Sequence, residues 1–178
     1  MIYLDYSANA PVSPRVLQCF ADAAVKYPGN PNAKHPAGLA AKAAIDEATD
    51  RIANALGVHA DEIIYTSGAS ESNNTAIRGI LHASRHIGRH VITTPLEHPS
   101  VSGCLTAAME RGYEIDMLAV GRDGKIDPEE VRALLRPDTV LVTMTAVDSE
   151  LGTVQPVREV ARVLRGAAHC CLHVDATQ

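Results

Sequence analysis

The sequence predicts an α/β protein with a mostly parallel sheet covered by helices on both faces, and three observations carry that prediction. Beyond residue 60, short β-branched runs alternate with amphipathic stretches, the connections between them are short, and the last run is almost continuously apolar. Glu62 to Thr66, His90 to Thr94, Tyr113 to Val120, Thr139 to Val147 and Cys171 to Asp175 read as strands.

In chain order, an extended arm leads to a helix from Pro14 to about Lys26, with Val16, Leu17 and Phe20 as its apolar residues. The turn formers Tyr27-Pro28-Gly29-Asn30-Pro31-Asn32 separate it from a second helix, Gly38 to Leu56, carrying Leu39, Ile45, Ile52 and Leu56. A helix from Glu71 to about Arg85 follows the first strand, with Ile77, Ile80 and Leu81 on one face. The next, Pro99 to Arg111, carries Val101, Cys104, Leu105, Ala108 and Met109 on its inner stripe and is ended by Gly112. Asp127 caps a third crossover helix, Pro128 suits its first position, Glu129 and Glu130 favour its dipole, and Val131, Leu134 and Leu135 face inward. The last, Pro156 to Arg165, buries Val157, Val160, Ala161 and Leu164 before Gly166. Residues 1–57 therefore form an arm with two helices, and residues 58–178 the α/β body, without internal repeat or linker. Gln178 follows directly after a buried strand, so the sheet is expected to be truncated before completion.

Composition narrows the function. The chain has 178 residues, 46% hydrophobic, with sixteen basic side chains against twenty-one acidic ones. With a net charge of -5 and only five Tyr and one Phe, it lacks the basic surface and stacking platforms of a nucleic-acid binder. No apolar stretch approaches the roughly 20 residues of a membrane span, and the N-terminus lacks signal-peptide features, so a cytoplasmic protein with a small-molecule partner is expected. Cys19, Cys104, Cys170 and Cys171 are irregularly spaced and read as free thiols, the last two as small buried hydrophobes.

Ligands of open α/β sheets bind beyond the carboxyl ends of the strands, so the residues there are the candidates. Thr66-Ser67-Gly68-Ala69-Ser70-Glu71 is either an anion-binding turn, presenting N–H groups and the Ser70 hydroxyl to a phosphate, or a tight turn with Ser70 as N-cap. Glu97-His98 follows the second strand and Asp148-Ser149-Glu150-Leu151-Gly152 the fourth; each alone is also ordinary loop chemistry. Asp175 ends an apolar strand, where a carboxylate needs a cation or several donors, and a cationic ring nitrogen is one such partner. His82, His86 and His90 mimic metal ligands at a spacing of four, but Gly88 breaks the helix before His90; no metal site is expected.

Taken together, these segments resemble the NifS/IscS-type cysteine desulfurases of the class V aminotransferase group, fold-type I enzymes that use pyridoxal 5'-phosphate. The likeness runs from Tyr3-Leu4-Asp5-Tyr6-Ser7-Ala8 with Pro11, through Gly29-Asn30-Pro31 with His35 and Gly38, to Thr66 to Asn74, Glu97-His98, Glu150-Leu151-Gly152 with Val154-Gln155, and His173 to Gln178. The resemblance implies that residues 58–178 are the N-terminal part of the cofactor-binding large domain. It implies that Ala69 and Ser70 hold the phosphate, Ser70 standing where the family usually has Thr, and that His98 stacks on the ring and assists proton transfer. Asp175 would pair with the ring nitrogen and Gln178 with the ring's 3-oxygen. Ser149 would contact cofactor and substrate, although Asp148 and Ser149 replace two Asn and Asn9-Ala10 replaces a Thr pair. The implied reaction removes sulfur from L-cysteine, giving alanine and an enzyme persulfide for iron-sulfur cluster or thio-cofactor assembly. Its partners are a sulfur-acceptor or scaffold protein, a second subunit of a homodimer and, in one version, a separate C-terminal half. The family's Schiff-base lysine is not Lys26, Lys34, Lys42 or Lys125, and its nucleophilic cysteine matches none of the four here. Both are expected beyond Gln178, so this chain by itself is expected to be inactive. The alternatives are another class V activity, selenocysteine lyase or aminotransferase, and a non-catalytic remnant of the fold.

Overall fold

The computed structural model describes residues 2–6 and 8–178; Met1, and Ser7 of the N-terminal signature, lie outside the described residues. It divides into two compact units at Tyr65/Thr66. In the first, α1 (Pro14–Lys26) starts with Pro at its first position and is followed by α2 (Pro36–Leu56). The second helix begins two residues before the predicted Gly38, because Pro36 pre-sets the first turn and His35 Nδ1 accepts from the Gly38 N–H at 3.2 Å. Gly57, at φ 70°, ends it in the left-handed conformation that glycine adopts without strain. The apolar residues of α1 stand open: Val16, Leu17 and Phe20 are exposed.

The stretch Glu62 to Thr66 is not a strand. Residues 60–62 form a 3-10 turn, Ile63 is extended, and among the described residues none of 63–66 joins the sheet. Ile64 and Tyr65 are exposed, so the β-branched pattern there has neither a ladder nor a covered face to satisfy it.

The second unit is a four-stranded, wholly parallel sheet in the order β2-β1-β3-β4, formed by β1 (His90–Thr93), β2 (Glu114–Met117), β3 (Thr139–Thr145) and β4 (Cys171–Asp175). α3 (Ala69–Ser84) leads into β1, and the crossovers between strands are α4 (Pro99–Met109), α5 (Pro128–Leu134) and α6 (Val157–Val163). β2 is shorter than the predicted Tyr113 to Val120, since Val120 turns out of the sheet to bridge Ile126. β3 stops at Thr145 because Val147 turns to bridge Val154. Alternation along β1 and β3 separates the two faces. Val91 and Leu141 meet Ile77 and Leu81 of α3 with Val101 and Leu105 of α4. Ile92, Val142 and Met144 meet Val131 of α5 and Val160 of α6. Gly88 lies so close to the backbone leading into β3 that a Cβ there would sit 2.1 Å from the Asp138 carbonyl oxygen, which itself accepts from His90 N–H.

His90 opens β1 rather than a helix; it is fully buried, with Nδ1 2.7 Å from Thr139 Oγ1 and Nε2 3.0 Å from Asp116 Oδ2. The reading of Cys170 and Cys171 as buried needs correction. Cys170 is half-buried and burial pushes its thiol up to about 11, but Cys171 is exposed, because β4 is bonded only to β3. No helix among the described residues is long and apolar enough to cross a membrane.

Candidate functional site

The chain leaves β1 towards β2 on one side and returns to place β3 on the other, so the sheet has a switch point between β1 and β3, the place where open α/β sheets bind ligands. Residues 94–98 follow β1, 146–148 follow β3 and 176–178 follow β4, all at the carboxyl ends of the strands. Asp175, only 8% exposed, is the anchor. Its Oδ2 accepts from Asn73 Nδ2 at 2.8 Å, and its Oδ1 accepts from the Thr177 N–H at 3.1 Å and the Thr177 hydroxyl at 2.5 Å. Burial pushes this carboxyl up, but the Thr177 and Asn73 bonds, with His173 beside it, outweigh burial and hold it below its ordinary range. Burial conversely lowers His173 despite the charge of Asp175, and His173 Nδ1 lies 2.8 Å from Thr143 Oγ1.

Asn73 is the hub. Its amide also donates to Ser100 Oγ at 3.0 Å, and that oxygen lies 2.8 Å from His98 Nδ1. His98 is the N-cap of α4, its Nδ1 accepting from the Ser100 N–H at 3.1 Å. One hydrogen-bonded chain thus runs Asp175–Asn73–Ser100–His98, tying β4 to the first turns of α3 and α4. It fixes the imidazole by Nδ1 and leaves Nε2 and the ring faces at the exposed rim. Sequence reasoning passed over Asn73, Ser100 and Thr177. The signal for Asn73 was present: it precedes Ile77 by four on the stripe that buries Ile77, Leu81 and Ser84, so a polar residue there required buried partners.

Glu97 locks two strand ends together, its Oε1 accepting from Thr94 Oγ1 at 2.7 Å and the Thr145 N–H at 2.8 Å. Its Oε2 is buried without a hydrogen-bond partner. Burial raises this carboxyl above its ordinary range, with the charge of Asp175 adding to the rise, although the Thr94 and Thr145 bonds oppose it. A proton on Oε2 would leave both bonds to Oε1 in place. Because the folded value lies above the ordinary 4.5, the stabilisation is complete below that pH and is lost as pH rises through the raised value. Glu97→Gln, which mimics the neutral acid, is therefore expected to flatten the decline in stability on going from pH 4.5 upward. Denaturation midpoints across that range check this, and an unchanged profile would count against a neutral Glu97.

The remaining predicted positions are more dispersed. Ser70 is in the first turn of α3, but it is not the N-cap. Gly68 holds that position in extended conformation without a side-chain cap, which leaves the first-turn N–H groups of Ala69 and Ser70 open towards solvent. Glu71 reaches back to the Ser67 N–H at 2.7 Å and the Ser67 hydroxyl at 2.6 Å. Asp148 is buried and turned into its own loop, its Oδ1 accepting from the Glu150 and Leu151 N–H groups. Ser149 is exposed beside it and stands outside the Asp175 network; Gln178 is exposed three residues beyond Asp175. Gln155 is structural: its Nε2 donates to the Gly124 carbonyl at 2.7 Å and its Oε1 accepts from the Ile126 N–H.

A parallel sheet clad on both faces, with a buried carboxylate and a rim histidine at the strands' carboxyl ends, defines a protein of the open α/β class. The chain matches the aminotransferase class-V family over residues 2–178 and belongs to it. It is 38% identical over its whole length to a NifS/IcsS protein homolog of Lactobacillus delbrueckii subsp. bulgaricus, covering 46% of that protein. It is 39% identical to cysteine desulfurase IscS of Anaeromyxobacter sp., covering 44% of it. Among solved structures, a NifS-like protein superposes with a TM-score of 0.95 at 33% identity, over 99% of this chain and 49% of the other. SspA in complex with cysteine superposes at 0.91 with 36% identity, over 99% and 50%. The chain thus spans a little under half the length of the two curated relatives.

Proposed function

We propose that this chain is the N-terminal part of a cysteine desulfurase, supplying the pyridoxal 5'-phosphate cradle for removal of sulfur from L-cysteine. The products are alanine and an enzyme persulfide, whose sulfur passes to an acceptor or scaffold protein. The observation that carries this reading is Asp175, a buried carboxylate held anionic by Asn73 and Thr177 at the end of β4. A carboxylate can accept about four hydrogen bonds, and three are used here, so the donor set fits a cationic ring nitrogen as one further partner. Pyridoxal phosphate, when bound, supplies an electron sink for the substrate's α-carbon.

The chain's own residues divide the remaining work. The open N–H groups at Ala69 and Ser70, with the Ser70 hydroxyl, are suited to the phosphate. His98, fixed through Nδ1 by Ser100, offers a ring face for stacking and Nε2 to move a proton. Gln178 is assigned to the ring's 3-oxygen and Ser149 to the cofactor and substrate carboxylate. We assign residues 58–178 to the cofactor-binding large domain, and the whole enzyme to a cytoplasmic homodimer.

Two measurements test this. The chain alone is expected to bind pyridoxal phosphate weakly and reversibly, followed by absorbance. Borohydride treatment is expected to leave no stoichiometric adduct on Lys26, Lys34, Lys42 or Lys125 by mass spectrometry; an adduct would overturn the assignment. The protein at its full natural length is expected to release alanine from L-cysteine, and a protein that binds the cofactor without doing so would refute the desulfurase reading.

A further inference from the structure

At the far ends of α3 and α4 lies a second concave site. Its lining residues on α3, Arg78 to Arg85, lie about 12–22 Å from Ser70 along the helix axis, at roughly 1.5 Å of rise per residue. A cavity of about 190 Å³ there has a floor of Leu81, Cys104, Ala107, Ala108 and the Tyr113 ring, and a rim of Arg78, Arg85, Arg89 and Arg111 with His82. The concentration of positive charge is local, since the chain carries a net charge of -5. None of the ion pairs among the described residues involves these four arginines.

Their existing bonds leave most donors unused. Arg89 Nη1 donates to the Arg111 carbonyl at 3.1 Å, with the guanidinium 6.0 Å from the Tyr113 ring centroid. Arg85 Nη1 donates to the His82 carbonyl, and Arg78 Nε to Asn74 Oδ1 at 3.0 Å. A guanidinium has five N–H donors, so each retains several after these contacts. The floor is held by core packing and by the Tyr113 hydroxyl, which donates to the Leu81 carbonyl at 2.6 Å.

We propose that this cavity binds a small phosphate monoester with a flat apolar body, the ester group gripped by the arginine rim and the body lying on Tyr113, Leu81 and Ala108. Concavity favours a small molecule over an acidic protein segment, which would require an extended basic face. Unpaired guanidiniums matched to a dianion favour phosphate over a carboxylate of single charge. The proposal is independent of the cofactor reading, because the cradle at Asp175 lies at the opposite ends of the same helices.

The test uses the complete chain and phenyl phosphate as probe, with phenol and inorganic phosphate as the two half-probes, followed by calorimetry. Phenyl phosphate is expected to bind more tightly than either half. Arg85→Gln and Arg111→Gln, both at exposed positions, are each expected to weaken it by roughly tenfold to a hundredfold, as for charge-assisted hydrogen bonds. Arg89→Lys is expected to weaken it as well, since a point charge does not reproduce the planar fork. Arg162→Gln, an exposed arginine of α6 outside the cavity's lining, is expected to leave it unchanged, and circular dichroism confirms that each variant is folded. The proposal is overturned if the variants at Arg85, Arg89 and Arg111 bind like the parent, if Ser70→Ala abolishes binding, or if phenyl phosphate does not bind.

Discussion

Asp175→Ala is expected to lower the affinity of the chain for pyridoxal phosphate by about two to four orders of magnitude. That is the range for breaking a buried ion pair, about 3–5 kcal/mol. Ser149→Ala, at an exposed position offering at most a neutral hydrogen bond, should cost about 0.5–1.5 kcal/mol. Alanine at 175 also strands the Asn73 amide and the Thr177 donors, whereas Asp175→Asn keeps the shape and one acceptor oxygen, enough for the two Thr177 bonds, and should still lose most of the affinity. The charge leaves a signature without any cofactor. The folded value of Asp175 lies below the ordinary 3.8, so its stabilisation is present above that pH and disappears as pH falls through the folded value. Asp175→Asn should remove that part of the acid sensitivity. Absorbance titration gives the affinity and acid denaturation the linkage; a variant with parental affinity would remove Asp175 from the proposed site.

The limits of sequence reasoning here are physical. Bounds set by local chemistry came out of the sequence directly: Pro14 and Lys26 bracket α1 as its periodicity implies, and Asp127-Pro128 marks the start of α5. β4 could be bounded because an apolar run ends at a charge. The stretch 62–66 has equally good strand chemistry and forms none, since a strand is defined by its neighbour and local composition does not supply one. At the site, Asp175 and His98 stood out because each places an unusual group at a strand end. Asn73 and Ser100, which connect them, lie 102 and 75 positions before Asp175 and are common helix residues. Only the parallel crossovers bring α3, α4 and β4 to one rim. Asp148 shows the converse: its neighbourhood looked like rim chemistry, but its carboxylate is consumed by the N–H groups of its own turn.

Leu141→Ala is expected to destabilise the second unit by about 2–5 kcal/mol, while Met117→Ala in the same sheet should stay within about 0.5 kcal/mol. Both are large apolar side chains on strands of the same sheet. The sheet order separates them. β3 lies between β1 and β4, and all seven of its residues are buried, whereas β2 is an edge strand on which Met117 is 60% exposed. Leu141 is fully buried and packs with Ile77 and Leu81 of α3, Val91 of β1 and Val101 and Leu105 of α4. Removing its isobutyl group opens a cavity walled by two helices and two strands. The hydrogen-bonded sheet on one side cannot move inward without breaking its register, so little of that cavity can collapse. The same rigid strand positions Thr145, whose N–H holds Glu97, so loosening it should also be felt at the rim. Urea denaturation of the two variants, followed by circular dichroism, gives the comparison. Equal losses at the two positions, or a loss below about 1 kcal/mol at Leu141, would show that β3 is not the rigid centre on which the candidate site is built.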